Sequence, residues 1–189
     1  LSTERRIELA RELQSLLTRT DWLVESLLKL SKLNAGTVDL AKDAVSVKSL
    51  IDRASEPLGI PMDLRNQRLT VQCTDERFTG DLIWSAEALG NILKNCMEHT
   101  PDGGTITVTA EETALFTQIT VEDTGPGFSE KDIPHLFERF YKGSNASESS
   151  YGIGLALART VISAQNGTVQ AMNGSHGAKF VIKFYKQVI

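Results

Sequence analysis

Three short segments of this chain combine residue types that can bind a nucleotide. They are an amide pair spaced four residues apart, a carboxylate followed by two close glycines, and a glycine pair before an apolar run: Asn91 and Asn95, Asp123 with Gly125 and Gly127, and Gly152 with Gly154. Amide and carboxylate oxygens accept hydrogen bonds or bind hard cations, and glycine lets the backbone approach a ligand closely. A single Gly-x-Gly is typical of an ordinary turn, whereas three such segments in this order predict a nucleotide site.

The amide pair falls on a predicted helix from Leu82 to about His99, for which Asp81 is a suitable N-cap. Polar residues recur every four positions, opposite an apolar face: Glu87, Asn91, Asn95 and His99. A solvated face would normally carry Lys and Glu, so the asparagines indicate oxygen ligands for a cation or a phosphate. Asparagines on an exposed helix face are the alternative.

The second glycine pair opens a predicted helix that runs from Gly154 to about Gln165. Free N–H groups and the positive dipole end at the start of a helix favour anions, so a triphosphate is expected there. Lys142 and Arg139 supply cations nearby, and residues 143–151 are expected to form a lid over the phosphates.

The rest of the chain predicts a sheet with helices on one side. Strict alternation in Ile106-Thr-Val108 and Ile119-Thr-Val121 is typical of a sheet with one covered face. The predicted strands are residues 45–47, 69–73, 105–110, 115–122, 169–172 and 179–184, with 78–80 as a short strand or turn and 48–57 as a further helix.

Residues 4–35 predict one long amphipathic helix. Apolar positions recur with heptad spacing and are flanked by further apolar residues: Leu9, Leu13, Leu16, Leu23, Leu27 and Leu30, with Thr20 in register, and Leu17, Val24 and Leu28 beside them. Such a stripe favours a helical bundle with partner helices, and Gly36 is a suitable residue to end the helix. A generic coiled-coil linker is the alternative.

These segments resemble the ATP-binding domain of sensor histidine kinases, a branch of the Bergerat-type (GHKL) ATPases that also include gyrase, Hsp90-like chaperones and mismatch-repair ATPases. The resemblance covers nearly the whole chain. Four segments match the family's N, G1, F and G2 boxes: NILKNCMEHTP at 91–101, DTGPGF at 123–128, FERFYKG at 137–143 and GIGLALAR at 152–159. The F box distinguishes sensor kinases from the other branches.

The resemblance implies an α+β fold, in which a two-layer α/β-sandwich ATP-binding domain at residues 37–189 follows a helix of a dimerisation bundle at residues 1–36. It makes Asn95 the Mg²⁺ ligand with Asn91 in support, Asp123 the acceptor for the adenine amine, and Lys142 a phosphate contact. The nucleotide-binding residues expected on this basis are Asn91, Asn95, His99, Asp123, Gly125, Gly127, Tyr141, Lys142, Gly152, Ile153, Gly154 and Leu155. His99 and Tyr141 could instead be packing or surface groups.

The implied function is that of a sensor histidine kinase, which binds MgATP and transfers the γ-phosphoryl group to a histidine for relay to a response-regulator aspartate. None of the three histidines, His99, His135 and His176, is followed by the acidic residue, basic residue and proline of the family's acceptor helix. The acceptor is therefore expected on a helical hairpin outside this chain. A homodimeric full-length protein, a cytoplasmic position for this fragment and a membrane anchor elsewhere are also implied.

Two alternatives stay open, a hydrolytic ATPase of the same fold and a nucleotide-binding scaffold without transfer activity. Hydrolysis would need a catalytic glutamate, for which Glu87 and Glu98 are the candidates. Three departures from the family pattern bear on nucleotide affinity: Ser150 replaces a lid glycine, Glu98 a common lysine, and Ala178 a hydroxyl residue near the adenine.

The composition is that of a soluble globular protein, with 41% hydrophobic and 23% charged residues. A net charge of −4 argues against a nucleic-acid partner, which would require a basic face. Cys73 and Cys96 lack the spacing of metal ligands, so a reduced, cytosolic protein is expected.

Overall fold

A computed structural model of the chain describes residues 2–144 and 151–186. Its first element is the long helix α1, Thr3–Asn34, which begins after Ser2, whose hydroxyl accepts a hydrogen bond from the Arg5 backbone N–H. As predicted, Gly36 follows the end of the helix and terminates it, since its φ of 64° is the left-handed conformation that glycine adopts without strain.

A five-stranded sheet forms the centre of the domain, in the order β2-β4-β5-β7-β6. Strands β2 and β4 are parallel and the other pairs are antiparallel. The bounds are β2 Arg68–Gln72, β4 Thr105–Glu112, β5 Phe116–Asp123, β6 Gly167–Asn173 and β7 Ala178–Tyr185. Buried and half-buried residues alternate along β5 and β7, so one face is covered as the sequence predicts.

Three helices cover that face: α2, Val47–Ser55; α4, Leu82–His99; and α5, Gly154–Ala164. The core between the layers includes Leu93, Ile119, Leu157 and Phe180, each no more than 1% exposed. Burying such side chains stabilises the domain by roughly 1.5–3 kcal/mol each. The expected α+β sandwich with a preceding long helix is confirmed.

The region between α1 and the sheet differs in detail from the prediction. Strand β1, Asp43–Ser46, pairs with β3, Arg77–Gly80, so residues 78–80 are a strand and not a turn. Val47 is already helical, because the Ser46 hydroxyl caps α2 by accepting the Ser49 backbone N–H. The helix stops at Ser55, before Pro57, and two elements that the sequence did not predict follow: a 3₁₀ turn, Glu56–Leu58, and α3, Gly59–Leu64.

The C-terminal half of α1 packs against the domain, while its N-terminal half does not. Ser26 and Leu30 are buried, whereas Leu13 and Leu17 are 60% and 64% exposed. Among the described residues, no helix is both long enough and apolar enough to cross a membrane.

Candidate functional site

A cavity of about 350 Å³ opens between α4, the end of β5, the loop after it, the start of α5 and one face of α1. Every predicted nucleotide-binding residue lines this cavity except Gly125, whose backbone N–H donates a hydrogen bond to Asp123. Helix, strand and loop segments far apart in sequence therefore meet at one site: Asn91, Asn95, His99, Asp123, Gly127, Tyr141, Lys142, Gly152, Ile153, Gly154 and Leu155.

Helix α4 presents its amide face to the cavity. Asp81 caps the helix as predicted, because its Oδ1 accepts the backbone N–H groups of Ile83 and Trp84 at 2.9 and 3.0 Å. Glu87 belongs to the same polar stripe but does not line the cavity; its Oε1 lies 2.8 Å from Lys29 Nζ on α1.

The C-terminal end of α4 is held by two side chains from the loop before β2. The Arg65 guanidinium and the Gln67 amide donate hydrogen bonds to the carbonyl groups of Met97 and Thr100. These carbonyl groups have no partner inside the helix, so the contacts satisfy them and fix the position of His99 between them. Nothing in the sequence predicts this support, since Arg65 and Gln67 lie about 30 residues before the helix end they cap.

Asp123 is the last residue of β5 and is only 1% exposed. Its Oδ1 accepts the backbone N–H groups of Gly125 at 2.9 Å and Ala178 at 3.0 Å. Its Oδ2 is buried and receives no N–H or O–H donor from the described residues. Burial and the nearby Asp123 carboxylate together raise the pKa of the Cys96 thiol well above its usual value.

A buried carboxylate oxygen without a donor is costly unless a ligand supplies one. The exocyclic amine of adenine is such a donor, and the cavity beside Asp123 gives it access. Gly177 contributes to this end of the site, since a Cβ there would lie 2.8 Å from the Gly125 nitrogen. Gly177 was not predicted as a site residue, because its only signal in the sequence is its place in a turn between two strands.

The start of α5 forms the other end of the cavity. Gly152 has a φ of 68°, and a Cβ there would lie 2.7 Å from the Phe140 carbonyl carbon and 2.8 Å from the Tyr141 nitrogen. The Phe140 backbone N–H donates to the Gly152 carbonyl at 2.8 Å. This bond ties the F box directly to the glycine pair. A glycine is therefore required at position 152.

No side chain of the described residues caps the N-terminus of α5 at Ile153. The first residues of α5 line the cavity together with Gly152, and the N–H groups at the start of a helix are a suitable environment for an anion. Asn91 lies against this glycine pair, because a Cβ on Gly154 would be 3.3 Å from the Asn91 Oδ1.

Asp132 organises the loop that carries Lys142. Its Oδ1 accepts the Tyr141 hydroxyl at 2.8 Å, and its Oδ2 accepts the Ser144 backbone N–H and hydroxyl at 2.9 and 3.0 Å. The Ser144 N–H and the Tyr141 hydroxyl lower the pKa of Asp132, while the hydrogen bond to Asp132 raises the pKa of Tyr141. Lys142 is held between the two bonded residues. Asp132 was not predicted as a site residue, because it lies outside the matched boxes.

Other predicted features have mixed outcomes. Arg139, expected to supply a cation, does not line the cavity, whereas Glu98 and Ala178 do. Ser150 and most of the predicted lid, residues 145–150, lie outside the described residues. The cavity is also lined by residues that the sequence analysis did not assign to it: Thr18, Arg19 and Trp22 of α1, and Lys94 of α4.

Within the described residues, no group of three or more His, Cys, Asp and Glu side chains is placed to hold a metal ion. One amide oxygen plus phosphate oxygens is a ligand set that suits Mg²⁺.

Comparison with known proteins identifies the family and the fold of the chain. The sequence profile of the histidine kinase-, DNA gyrase B- and HSP90-like ATPase family matches residues 80–188. The chain is 32% identical to the sensor protein SphS of Synechococcus elongatus over 169 residues, which are 82% of this chain and 40% of SphS. It is also 32% identical to the sensor protein CreC of Escherichia coli over 160 residues, 84% of this chain and 34% of CreC. The chain thus spans less than half of these relatives.

Solved structures share the fold. The histidine kinase AdeS of Acinetobacter baumannii superposes with a TM-score of 0.82 and 22% identity, covering 95% of this chain and 85% of AdeS. Full-length ShkA in complex with AMPPNP covers all of this chain and 40% of ShkA, with a TM-score of 0.78 and 22% identity. The histidine kinase ThkA in complex with the response regulator TrrA covers 99% of this chain and 53% of ThkA, with a TM-score of 0.78 and 20% identity.

Proposed function

Because the chain belongs to the histidine kinase-, DNA gyrase B- and HSP90-like ATPase family, we propose that it is the catalytic portion of a sensor histidine kinase. In this proposal it binds MgATP and transfers the γ-phosphoryl group to a histidine outside the chain. The observation that carries the proposal is the buried Oδ2 of Asp123, which receives no N–H or O–H donor from the described residues and lies at one end of a cavity whose other end is the N-terminus of α5.

These two ends fit the two ends of ATP. Asp123 Oδ2 accepts the adenine amine, while Gly125 and Ala178 fix the carboxylate through its other oxygen. The N–H groups at the start of α5 and the Lys142 ammonium group bind the phosphates. The chain thereby positions the triphosphate and stabilises its charge, and these are the main contributions a protein makes to phosphoryl transfer.

A magnesium ion held by Asn95 and the phosphate oxygens would neutralise charge on the triphosphate. Asn91 supports this position from the preceding turn of α4, where it also contacts Gly154. His99 and Tyr141 border the nucleotide with flat side chains.

Transfer breaks the bond between the γ-phosphorus and the oxygen bridging to ADP, and forms a phosphorus–nitrogen bond to the acceptor imidazole. The acceptor is expected on a helical hairpin that completes a bundle with α1. The exposed leucines of the N-terminal half of α1 supply the apolar face for that hairpin. We also propose a homodimer of the full-length protein, a cytoplasmic position for this portion and a membrane anchor elsewhere in the longer protein.

The phosphoryl group would then pass to an aspartate of a response regulator. ThkA was crystallised with such a partner and ShkA with an ATP analogue, and both share this fold. These complexes support the choice of partner and ligand for this chain.

The experiment is a labelling assay with radioactive ATP. The isolated chain should bind ATP yet acquire no acid-labile phosphate, and a supplied histidine-bearing hairpin should become labelled. Stable self-labelling at His99, His135 or His176 would contradict an external acceptor.

Hydrolysis is the second candidate, because Glu98 lines the cavity while Glu87 pairs with Lys29. A hydrolytic ATPase would release phosphate steadily without any acceptor, and Glu98→Gln would abolish the release. Binding without transfer or hydrolysis would instead identify a nucleotide-binding scaffold.

A further inference from the structure

Helix α1 forms one wall of the candidate nucleotide cavity. Thr18, Arg19 and Trp22 line it together with residues of α4 and α5. The side chains before position 20 on α1 are almost all exposed, but Arg19 and, one turn later, Trp22 are partly buried. Trp22 packs against the core and the Arg19 guanidinium lies over the Tyr151 ring, so both side chains contact the domain.

Contacts along α1 hold these residues in place. Leu30 is 1% exposed in the core, Ser26 is 2% exposed, and Lys29 Nζ lies 2.8 Å from Glu87 Oε1 on α4. Lys94 Nζ of α4 lies 5.3 Å from the Trp22 ring centre. The buried Leu30 and the two contacts with α4 thus hold α1 along the cavity.

Arg19 lies at the end of the cavity where phosphates are expected. Its guanidinium carbon is 5.5 Å from the ring centre of Tyr151, the residue directly before Gly152. Gly152 and Gly154 lead into the N-terminus of α5, which no side chain of the described residues caps, and Lys142 also lines the cavity. A guanidinium group at this place is suited to phosphate, because it is planar, permanently charged and able to bond through two nitrogens.

We propose that α1 is part of the nucleotide site, with Arg19 contacting the phosphates and Trp22 bordering the bound nucleotide. This inference rests on the proposed nucleotide-binding function and extends it to a helix outside the family's nucleotide-binding boxes. Among the described residues, three cationic side chains from three segments line the cavity: Arg19 of α1, Lys94 of α4 and Lys142 of the F box. Nucleotide binding and docking of α1 on the domain consequently stabilise each other.

The test measures MgADP affinity by calorimetry for the whole chain and for Arg19→Ala. We expect the substitution to weaken binding by roughly three- to tenfold, the range for losing a partly exposed cationic contact. Arg11→Ala is the matched control, because Arg11 is exposed two turns earlier on the same helix and should leave affinity unchanged. Arg19→Lys, which keeps the charge, should restore part of the affinity.

Two further readouts separate a phosphate contact from a general effect on the helix. The loss in Arg19→Ala should shrink at high salt, which screens charge, and should be absent for adenosine, which has no phosphate. Tryptophan emission should change on MgADP addition in the parent chain, and this change should disappear in Trp22→Phe, where Trp84 is the remaining tryptophan.

The possible outcomes distinguish a failure of the proposed function from a failure of the role of α1. If the parent chain binds no MgADP, the proposed function itself fails. If it binds MgADP, but Arg19→Ala binds equally well and the emission change persists in Trp22→Phe, the function stands and the role of α1 is refuted. Tighter binding by Arg19→Ala would also refute it, because α1 would then obstruct the site.

Discussion

Replacing Asp123 by Asn tests the adenine end of the site with the smallest change in shape. The Oδ1 of Asp123 accepts two backbone N–H groups, at 2.9 and 3.0 Å, and these bonds fix which side of the side chain must remain an acceptor. In Asp123→Asn the amide oxygen keeps both bonds, so the NH₂ group takes the place of Oδ2. A donor would then face the donating amine of adenine.

The expected loss follows from that reversal. A hydrogen bond to a charged group contributes about 1.5–3 kcal/mol, so MgADP affinity should fall by roughly 10- to 150-fold. The fold should persist, because the two hydrogen bonds that join Asp123 to Gly125 and Ala178 are retained. Thermal unfolding should accordingly stay within a few degrees of the parent chain.

Calorimetric titration with MgADP, and then with MgIDP, makes the test specific. Hypoxanthine carries a carbonyl acceptor where adenine carries its amine, so Asp123→Asn should bind MgIDP better than it binds MgADP. Asp75→Asn is a suitable control, since Asp75 is exposed on the β2–β3 turn outside the cavity. An Asp123→Asn protein that is folded and binds MgADP like the parent would remove Asp123 from adenine recognition.

Three other perturbations test the rest of the site. Asn95→Ala should lower the magnesium-dependent part of nucleotide affinity without changing the melting temperature, as titrations with and without Mg²⁺ will measure; loss of the fold would make Asn95 structural. Gly152→Ala should abolish detectable MgADP binding, because its Cβ would overlap the Phe140 and Tyr141 backbone; calorimetry with unchanged affinity would refute the described turn. Lowering the pH below the usual Asp range should weaken MgADP binding as Asp132 is protonated. Its pKa is depressed in the folded chain, so its bonds are intact above that range and are lost as pH falls through the folded value. In Asp132→Asn this acid-dependent loss of MgADP affinity should be reduced. A pH profile identical to that of the parent chain would show that protonation of Asp132 does not cause the loss.

Much of the fold was predictable because local patterns and tertiary packing agree. Alternation in β4 and β5 matches their buried residues, and Asp81 caps α4 in the manner that its position before an apolar run indicates. The element bounds differ from the predicted ones where a side chain caps a helix and so ends the strand before it. Ser46 is an example, since its hydroxyl begins α2 one residue earlier than the strand pattern suggests.

The candidate site was predictable where the chemistry is carried by short motifs, and it was missed where the partners are distant in sequence. Asp132 supports Tyr141 and Ser144 from outside the F box, and Arg65 holds an α4 carbonyl from 32 residues earlier. An isolated Asp or Arg in a loop carries no local signal of such a role. Only the folded chain brings these groups to their partners.

The heptad pattern of α1 shows most clearly why periodicity alone could not predict the site. A leucine stripe indicates that a helix has an apolar face, but it does not tell which partner covers each turn. In the fold, Leu30 enters the core of the domain while Leu13 and Leu17 stay exposed, so the domain covers only part of the stripe. The division falls at the turns that contain Arg19 and Trp22, which place a cation and an aromatic ring at the cavity. Any partner helix that binds the exposed half of α1 would therefore lie directly beside the candidate nucleotide site, which is the position that a phosphoryl acceptor requires.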